Sequence, residues 1–474
     1  MISSAVLLEL GLFLLLLGCF SPPDLPIPAR EDAIITGVTI INPSAIRLTD
    51  HSIVVRDGFI RETRPRRASD PEPICVDCYA VPGLIDAHVH TPPRIVLGNQ
   101  QLFALLYLAH GVTTVRDVGE SEPSVGELAA RLNEGSMVGP RMLRCGPVLD
   151  GDPPGWPMAE VVPDGPTGRR IVDRLSKDGV DCIKVYNELS REAFDGIAAA
   201  ARRHGLPLVG HVPHSVGLDH ATDLEVQHMT GIPYLSQPRP PLGWDIRDED
   251  VLSLRDGEVE HALGVALTRR LSFTPTLANF SLRLTASDPA RFPPSVASRV
   301  LPEYWADAWD LVAGHPSTTE SIEQRLRAVP AMRALVRRAH ERGIDVLAGT
   351  DTLMPWVVPG DALHREMLEL EEAFSSAEAA LAAATTVNGR HLAPGEIGLI
   401  APGARADILL VTGDPTERLS LLRDWQIVFA DGRRYDRETL DGWLDDYHQH
   451  FHSWFQRYVM GPVAGVAVGL FEHG

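Results

Sequence analysis

Apolar positions along the chain fall into short β-branched runs at both ends and into alternating strand and helix patterns between them. AIITGVTII and SIVVRDGFI, within residues 33–61, are broken by Gly37, Asp57 and Gly58, which favour turns. They predict short strands. A similar texture returns at ADILLV (406–411) and WQIVFADGRRY (425–435). Residues 31–80 and 396–437 are therefore expected to pair into one small β-sandwich. Periodicity leaves two unrelated hairpins open as the other reading.

Residues 81–395 behave differently. Strand-like runs occur at LIDAHVH (84–90), GVTTVRDV (111–118), RMLRCG (141–146), CIKVY (182–186), PLVGHV (207–212), LEVQHM (224–229), LSFTPT (271–276) and IDVLAGTD (344–351). Helical patterns such as SVGELAARL and REAFDGIAAAARRHG separate most of them. About eight β-α units imply a closed parallel barrel with its site at the C-terminal ends of the strands. An open doubly wound sheet is the alternative, but no Gly-rich dinucleotide turn supports it. Residues 438–474 read as a helical tail, with Trp443, Tyr447, Phe451 and Trp454 at helical spacing. On that helix only His448 and His452 share a face, apart from His450, and a solvated face is expected.

Composition sets the outer bounds. The 474 residues are 44% hydrophobic and 22% charged, enough for a large globular barrel and a smaller module. The formal charge of −20 repels nucleic acid and anionic membrane surfaces, so neither is an expected binding surface. A small-molecule substrate is the expected partner, with a homo-oligomer left open.

The N-terminus reads as an export segment. Ala5 to Phe20 is apolar apart from polar positions such as Glu9, and ends LLLLGC. Leu16-Leu17-Gly18-Cys19 resembles a bacterial lipobox, which makes residues 1–18 a lipoprotein-type signal and Cys19 the lipidation site. No Lys or Arg precedes the apolar stretch, and an uncleaved membrane anchor is the alternative. Either reading places the protein outside the cytoplasm, in a bacterial cell envelope, membrane-tethered or periplasmic. The Pro-rich residues 19–30 are expected to form a stiff tether. Of the other cysteines, Cys75 and Cys78 form a lone CxxC without a second pair to complete a zinc knuckle. Structural thiols or an incidental disulfide are expected for these two, Cys145 and Cys182.

Candidate chemistry gathers near the ends of the barrel strands. His88 and His90 stand two apart in VPGLIDAHVH, so a strand aims both at one point, as two ligands of one metal require. Lys184, His211, His228 and Asp351 occupy comparable positions on later strands. Each has a plain structural explanation, from strand end to helix cap. Lys184 is the hardest to explain so, because an unpaired ammonium in an apolar strand is costly. Convergence of all six on one barrel mouth points to a metal site.

The motifs PGLIDAHVH, GVTTVRDVG, GPRML, IKVY, GHV, QHMTG and AGTD, with ATTVNGRHL and IGLIAPGARADILLVTGDP, appear in family order across residues 33–435. In these the chain resembles the amidohydrolase superfamily, in the branch of imidazolonepropionase-like proteins and Xaa-Pro dipeptidases. The resemblance implies an α/β fold, a distorted (β/α)8 TIM-like barrel with a small β-sandwich from both chain ends. It implies two divalent metal ions, with His88, His90 and Asp351 on the buried one and His211 and His228 on the exposed one. Lys184 would bridge them as a carbamate. The nitrogen and oxygen donors suit zinc and admit manganese, iron or cobalt.

A hydroxide bridging the metals would attack an amide carbonyl, while Asp351 takes its proton and delivers it to the leaving amine. Asp86 would be structural. Tyr186, His214 and His364 are the candidate substrate contacts, His364 by lining the mouth. The lysine argues against the single-metal deaminases and for hydrolysis of a dipeptide or N-acyl amino acid. A cyclic amide, lactone or organophosphate is the second enzymatic reading, and a noncatalytic surface lipoprotein with a binding barrel is the third. The loop from Thr91 to Gln101 is short and leaves substrate size open.

Overall fold

The computed structural model describes residues 22–94, 98–120, 122–232, 248–313, 318–454 and 456–462. The expected signal segment and Cys19 lie outside these residues. Among the described residues no helix is long and apolar enough to cross a membrane.

Four strands come first: β1 (Ala33–Ile40), β2 (Leu48–Arg56), β3 (Phe59–Pro65) and β4 (Cys78–Pro82). β2 and β3 are antiparallel neighbours joined at Asp57-Gly58, both with positive φ, which suits the twist of a tight hairpin. The barrel follows. β5 (Leu84–Val89), β6 (Val112–Asp117) and β7 (Arg141–Arg144) make a three-stranded parallel sheet. β8 (Leu149–Asp150), β9 (Glu160–Val161), β10 (Ile183–Val185), β11 (Leu208–Gly210), β12 (Leu224–Gln227) and β13 (Ser272–Thr274) make a second, ordered β13-β12-β11-β10-β8-β9.

A few backbone bonds, rather than ladders, join the two sheets. Asp181 N–H donates to the Arg144 carbonyl at 2.7 Å. On the other side, Phe273 bridges Val346 and Ala87 N–H donates to the Ala348 carbonyl at 3.0 Å. The eighth strand position, around residues 346–348, is thus a bridge rather than a ladder, and the barrel is distorted. Every residue of β5, β6, β10, β11, β12 and β13 is buried, as parallel strands covered on both faces require.

The covering helices are locally specified. In Arg191–His204, Ser190 Oγ accepts from Ala193 N–H at the start and Gly205, at φ 67°, ends the helix. Its buried stripe includes Ala193, Phe194, Ile197 and Ala201.

β14 (Ile408–Thr412), β15 (Trp425–Ala430) and β16 (Arg433–Asp436) return to the first four strands in the order β16-β15-β14-β4-β1-β2-β3. Both chain ends therefore build one unit, as one continuous seven-stranded sheet. It curls over its own core of Ile35, Ile53, Ile60, Ile408 and Phe429. Backbone bonds from Ile60 N–H to Ala404 O and from Ala406 N–H to Gly58 O hold the curl.

The end segments lie on the body. Arg433 Nη1 donates to the Pro28 carbonyl at 2.6 Å, and Leu25 packs against the main core, so the Pro-rich stretch is not a free-standing spacer from Pro22 onward. The tail helix, Arg437–Phe451, packs on helix Asn99–Ala109 through buried Tyr447 and Phe451, while Trp454 is exposed. His448 and His452 stack with ring centres 4.1 Å apart. The four cysteines among the described residues form two disulfides, Cys75–Cys78 and Cys145–Cys182. The second lies buried with Val118 and Val209.

Candidate metal centre

Strand alternation sets the first pair of ligand candidates. His88 lies fully buried in β5, and His90 follows one residue past its end. Their Nε2 atoms stand 3.2 and 3.3 Å from Asp351 Oδ1. Asp351 is held there by its backbone: its N–H donates to the His88 carbonyl at 2.8 Å, and its φ of 64° is left-handed. Gly349, just before, permits this approach, since a Cβ there would sit 2.7 Å from His88 Cβ and 2.6 Å from Thr274 Cγ2. Asp86 locks the same junction from below, accepting from Thr350 N–H at 3.0 Å and from Thr350 Oγ1 at 2.7 Å. It is structural, and burial pushes its carboxyl up to about 7.

His228 follows β12 in a left-handed turn, φ 55°, with Nε2 4.0 Å from Asp351 Oδ2. Its ring centre lies 4.8 Å from His88 and 5.1 Å from His211, which follows β11. Left-handed non-glycine residues at Asp351, His228 and Thr276 concentrate backbone strain where the side chains converge. Lys184 sits in the middle of β10, paired with Val209 of β11 and 2% exposed. Burial first, and then the charge of Lys184, push His88 down to about 3. Burial opposes ionisation of Asp351, yet the charges of His228 and His88 and the close Nε2 atoms of His88 and His90 hold its carboxyl well below the usual range.

The residues fit a metal ion. One ligand atom each from His88, His228 and Asp351 lies within 4.8 Å of the others. His88 Nε2 is buried and makes no hydrogen bond of acceptable geometry, although Asp351 is near. Its ring fills the outer nitrogen instead: His88 Nδ1 donates to Gln227 Oε1. His211 Nδ1 donates to Asn187 Oδ1 at 3.0 Å, and His228 Nδ1 pairs with Thr276 Oγ1 at 2.6 Å. The amide oxygens thereby leave His88 and His211 an Nε2 lone pair, the tautomer a metal needs, and the Thr276 hydroxyl can accept to leave one on His228. Asn279 Nδ2 donates to Asp351 Oδ2 at 2.7 Å.

Tyr186 borders the cluster, and His214 N–H donates to the carbonyl of Asn187 behind it. The Tyr186 ring lies 4.1 Å from that of His211, and His214 Nδ1 is 3.2 Å from Glu188 Oε1. His364 does not join them. Its Nε2 donates to the His110 carbonyl at 2.9 Å, beside the Arg423–Asp361 ion pair, where burial pushes its ring down to about 3. The expectation that it lines the mouth is corrected. Position after the eighth strand was its only support, and helix Asp361–Phe374 turns it into the body.

Gln227, Asn187, Thr276 and Asn279 were not among the sequence candidates. Asn187 and Gln227 carry a faint signal, as amides close to Lys184 and His228. Thr276 and Asn279 carry none, because only the left-handed turn at Thr276 brings them in.

Comparison with known proteins fits this geometry. The chain belongs to the Amidohydrolase family, whose profile matches residues 79–435. Among solved structures it is similar to bottromycin amidohydrolase, with TM-score 0.69 and 25% identity, covering 95% of this chain and 92% of that one. A putative prolidase from Bifidobacterium longum gives TM-score 0.62 and 25% identity, over 89% of this chain and 100% of the other. A Xaa-Pro dipeptidase with bound methionine gives TM-score 0.61 at 19% identity, over 85% and 99%, and speaks for the fold alone. No curated protein matches the sequence. The chain is a hydrolase of carbon–nitrogen bonds, of a family that works with divalent metals.

Proposed function

We propose that the protein hydrolyses the amide or peptide bond of a dipeptide or N-acyl amino acid at a binuclear metal centre. The observation that carries this reading is Lys184, 2% exposed on β10, beside the strand that leads to His211 and within electrostatic reach of His88. Its amine, once neutral, adds to carbon dioxide and releases a proton, giving a carbamate whose two oxygens suit two cations. His88, His90 and Asp351 would hold one ion, His211 and His228 the other. Two divalent cations, zinc by donor type, supply an acidified water and polarise a carbonyl when bound.

The remaining work falls to the chain. Asp351 accepts the proton of the attacking water and returns it to the departing amine. Asn279 fixes the carboxylate for both transfers. Tyr186 and His214 orient the substrate from the His211 side. The Cys145–Cys182 disulfide is chemistry of an oxidising compartment, which supports export to the cell envelope.

Metal content of the purified protein and of Lys184→Ala, with hydrolysis of a dipeptide and N-acyl amino acid panel, tests the reading. Two ions per chain, falling in the variant together with hydrolysis, is the expected result. One ion, unchanged by the substitution, overturns the bridged centre.

A further inference from the structure

A second polar cluster lies away from the histidines, at the other ends of the strands. It lines a small cleft where the barrel meets the seven-stranded sheet. Arg141 is the first residue of β7, Thr113 the second of β6, and Asp407 precedes β14 while its carbonyl accepts from Gly83 N–H at the entry to β5. Arg405, Asp431 and Arg433 add to the polar lining, with Asn133 and Tyr435. Arg141, Arg405 and Arg433 thus meet Asp407 and Asp431 here, with Glu396 paired to Arg405 and Arg30 to Asp431 at the edge.

The internal pairing of this cluster is incomplete. Asp431 is taken by Arg30 and by Arg405 Nη1 at 3.3 Å, and Arg433 reaches the Pro28 carbonyl. Asp407 Oδ1 accepts from Asp431 N–H at 2.7 Å. Four buried atoms are left without a hydrogen-bond partner, Arg141 Nε, Arg405 Nε, Thr113 Oγ1 and Asp407 Oδ2, although Arg405 Nε has the Glu396 carboxylate 3.7 Å away. Asp407 is 5% exposed and Thr113 1%. Leaving such groups unsatisfied is costly, and these four share one cleft.

The pattern of unmet groups has a definite chemistry. The two guanidinium nitrogens want acceptors, and the hydroxyl can serve either way. The Asp407 oxygen wants a donor. A bare anion satisfies the first and is repelled by the last, whereas a neutral molecule brings no counter-charge to Arg141. We propose that this cleft binds a protonated oxyanion, with hydrogen phosphate as its type: charged oxygens on Arg141 and Arg405, and the remaining O–H donated to Asp407. Sulfate has the same shape and charge but no proton to give.

Calorimetric titration of the intact, metal-loaded protein with inorganic phosphate and with sulfate tests this, repeated on Arg141→Gln and Asp407→Asn. Neither residue belongs to the metal centre, so dipeptide hydrolysis serves as a folding control. The expected result is a phosphate preference of about tenfold or more over sulfate, the worth of one charge-assisted hydrogen bond. Arg141→Gln should weaken phosphate by a similar factor. Asp407→Asn, which offers an N–H in place of the carboxylate, should bring sulfate and phosphate close to parity. Phosphate binding that neither variant changes belongs to the metal centre and overturns the proposal. Equal affinity for both anions in the unsubstituted protein, or no binding, overturns it as well. If Arg141→Gln does not fold, the change of preference in Asp407→Asn decides alone.

Discussion

His88 Nδ1 donates to Gln227 Oε1, and the relay behind that bond reaches across the barrel interior. Gln227 Nε2 in turn donates to Glu225 Oε1 at 2.8 Å. Glu225 also accepts from Thr274 Oγ1 at 2.6 Å and is gripped by both terminal nitrogens of Arg116. A buried guanidinium therefore sets the direction of every hydrogen bond up to the metal-facing histidine. Burial opposes ionisation of Glu225, and Arg116 nonetheless holds its carboxyl below the ordinary value.

Gln227→Ala should cost metal affinity without unfolding the chain. It frees the His88 ring to take the other tautomer, and outer-shell partners of this kind contribute roughly 10–100-fold in affinity. Competition with a chelator of known strength measures the loss. Unchanged retention would show that β5 alone fixes the ring.

Arg116 and Glu225 make the next prediction, on stability. Their side chains are 3% and 7% exposed. Arg116→Met leaves an uncompensated buried carboxylate and should destabilise by about 3–5 kcal/mol. The double variant Arg116→Met with Glu225→Met should recover most of this, because no charge is then stranded. Urea unfolding of the two variants against the parent is the measurement. A double variant as weak as the single one would mean that packing, rather than charge, is lost.

What was legible in the sequence follows from which signals are local. His88 and His90 were readable because strand alternation is a two-residue rule, and Lys184 because a charge inside an apolar run is conspicuous. The strand runs of residues 33–61 and 406–435 were equally plain, but their union into one curled sheet depends on pairings between β14 and β4, far apart in the chain. His364 was misplaced because sequence order puts a residue after a strand without saying which way the following helix faces. Thr276 and Asn279 were invisible for a related reason. Their approach to His228 and Asp351 is made by left-handed backbone at Thr276, a residue type that rarely adopts it.

Asp351→Asn should separate proton transfer from metal holding. The amide cannot accept the proton of the attacking water, so kcat should fall by about 10²–10⁴-fold. Metal content should fall less, since His88, His90, His211 and His228 remain. Parallel metal analysis and steady-state kinetics decide it. Loss of activity no greater than loss of metal would confine Asp351 to coordination.

Acid stability gives the last prediction, at a point remote from the centre. Asp345 stands just before the eighth strand position and receives His391 Nε2 at 2.9 Å and Arg390 Nη2 at 2.8 Å, from helix Asn388–Leu392. The His391 bond first, with Arg390 adding to it against partial burial, lowers its carboxyl to about 2. An acid whose folded value is depressed binds fewer protons folded than unfolded in this window. Its contribution is therefore complete above the ordinary aspartate value of about 3.9 and disappears as pH falls toward 2. The side chain is 43% exposed, so solvent screening keeps the effect below about 1 kcal/mol. Urea midpoints of the parent and Asp345→Asn should differ at about pH 5 and converge as the pH is lowered through about 3. A gap that stays constant would assign the difference to the shape of the substituted side chain rather than to its charge.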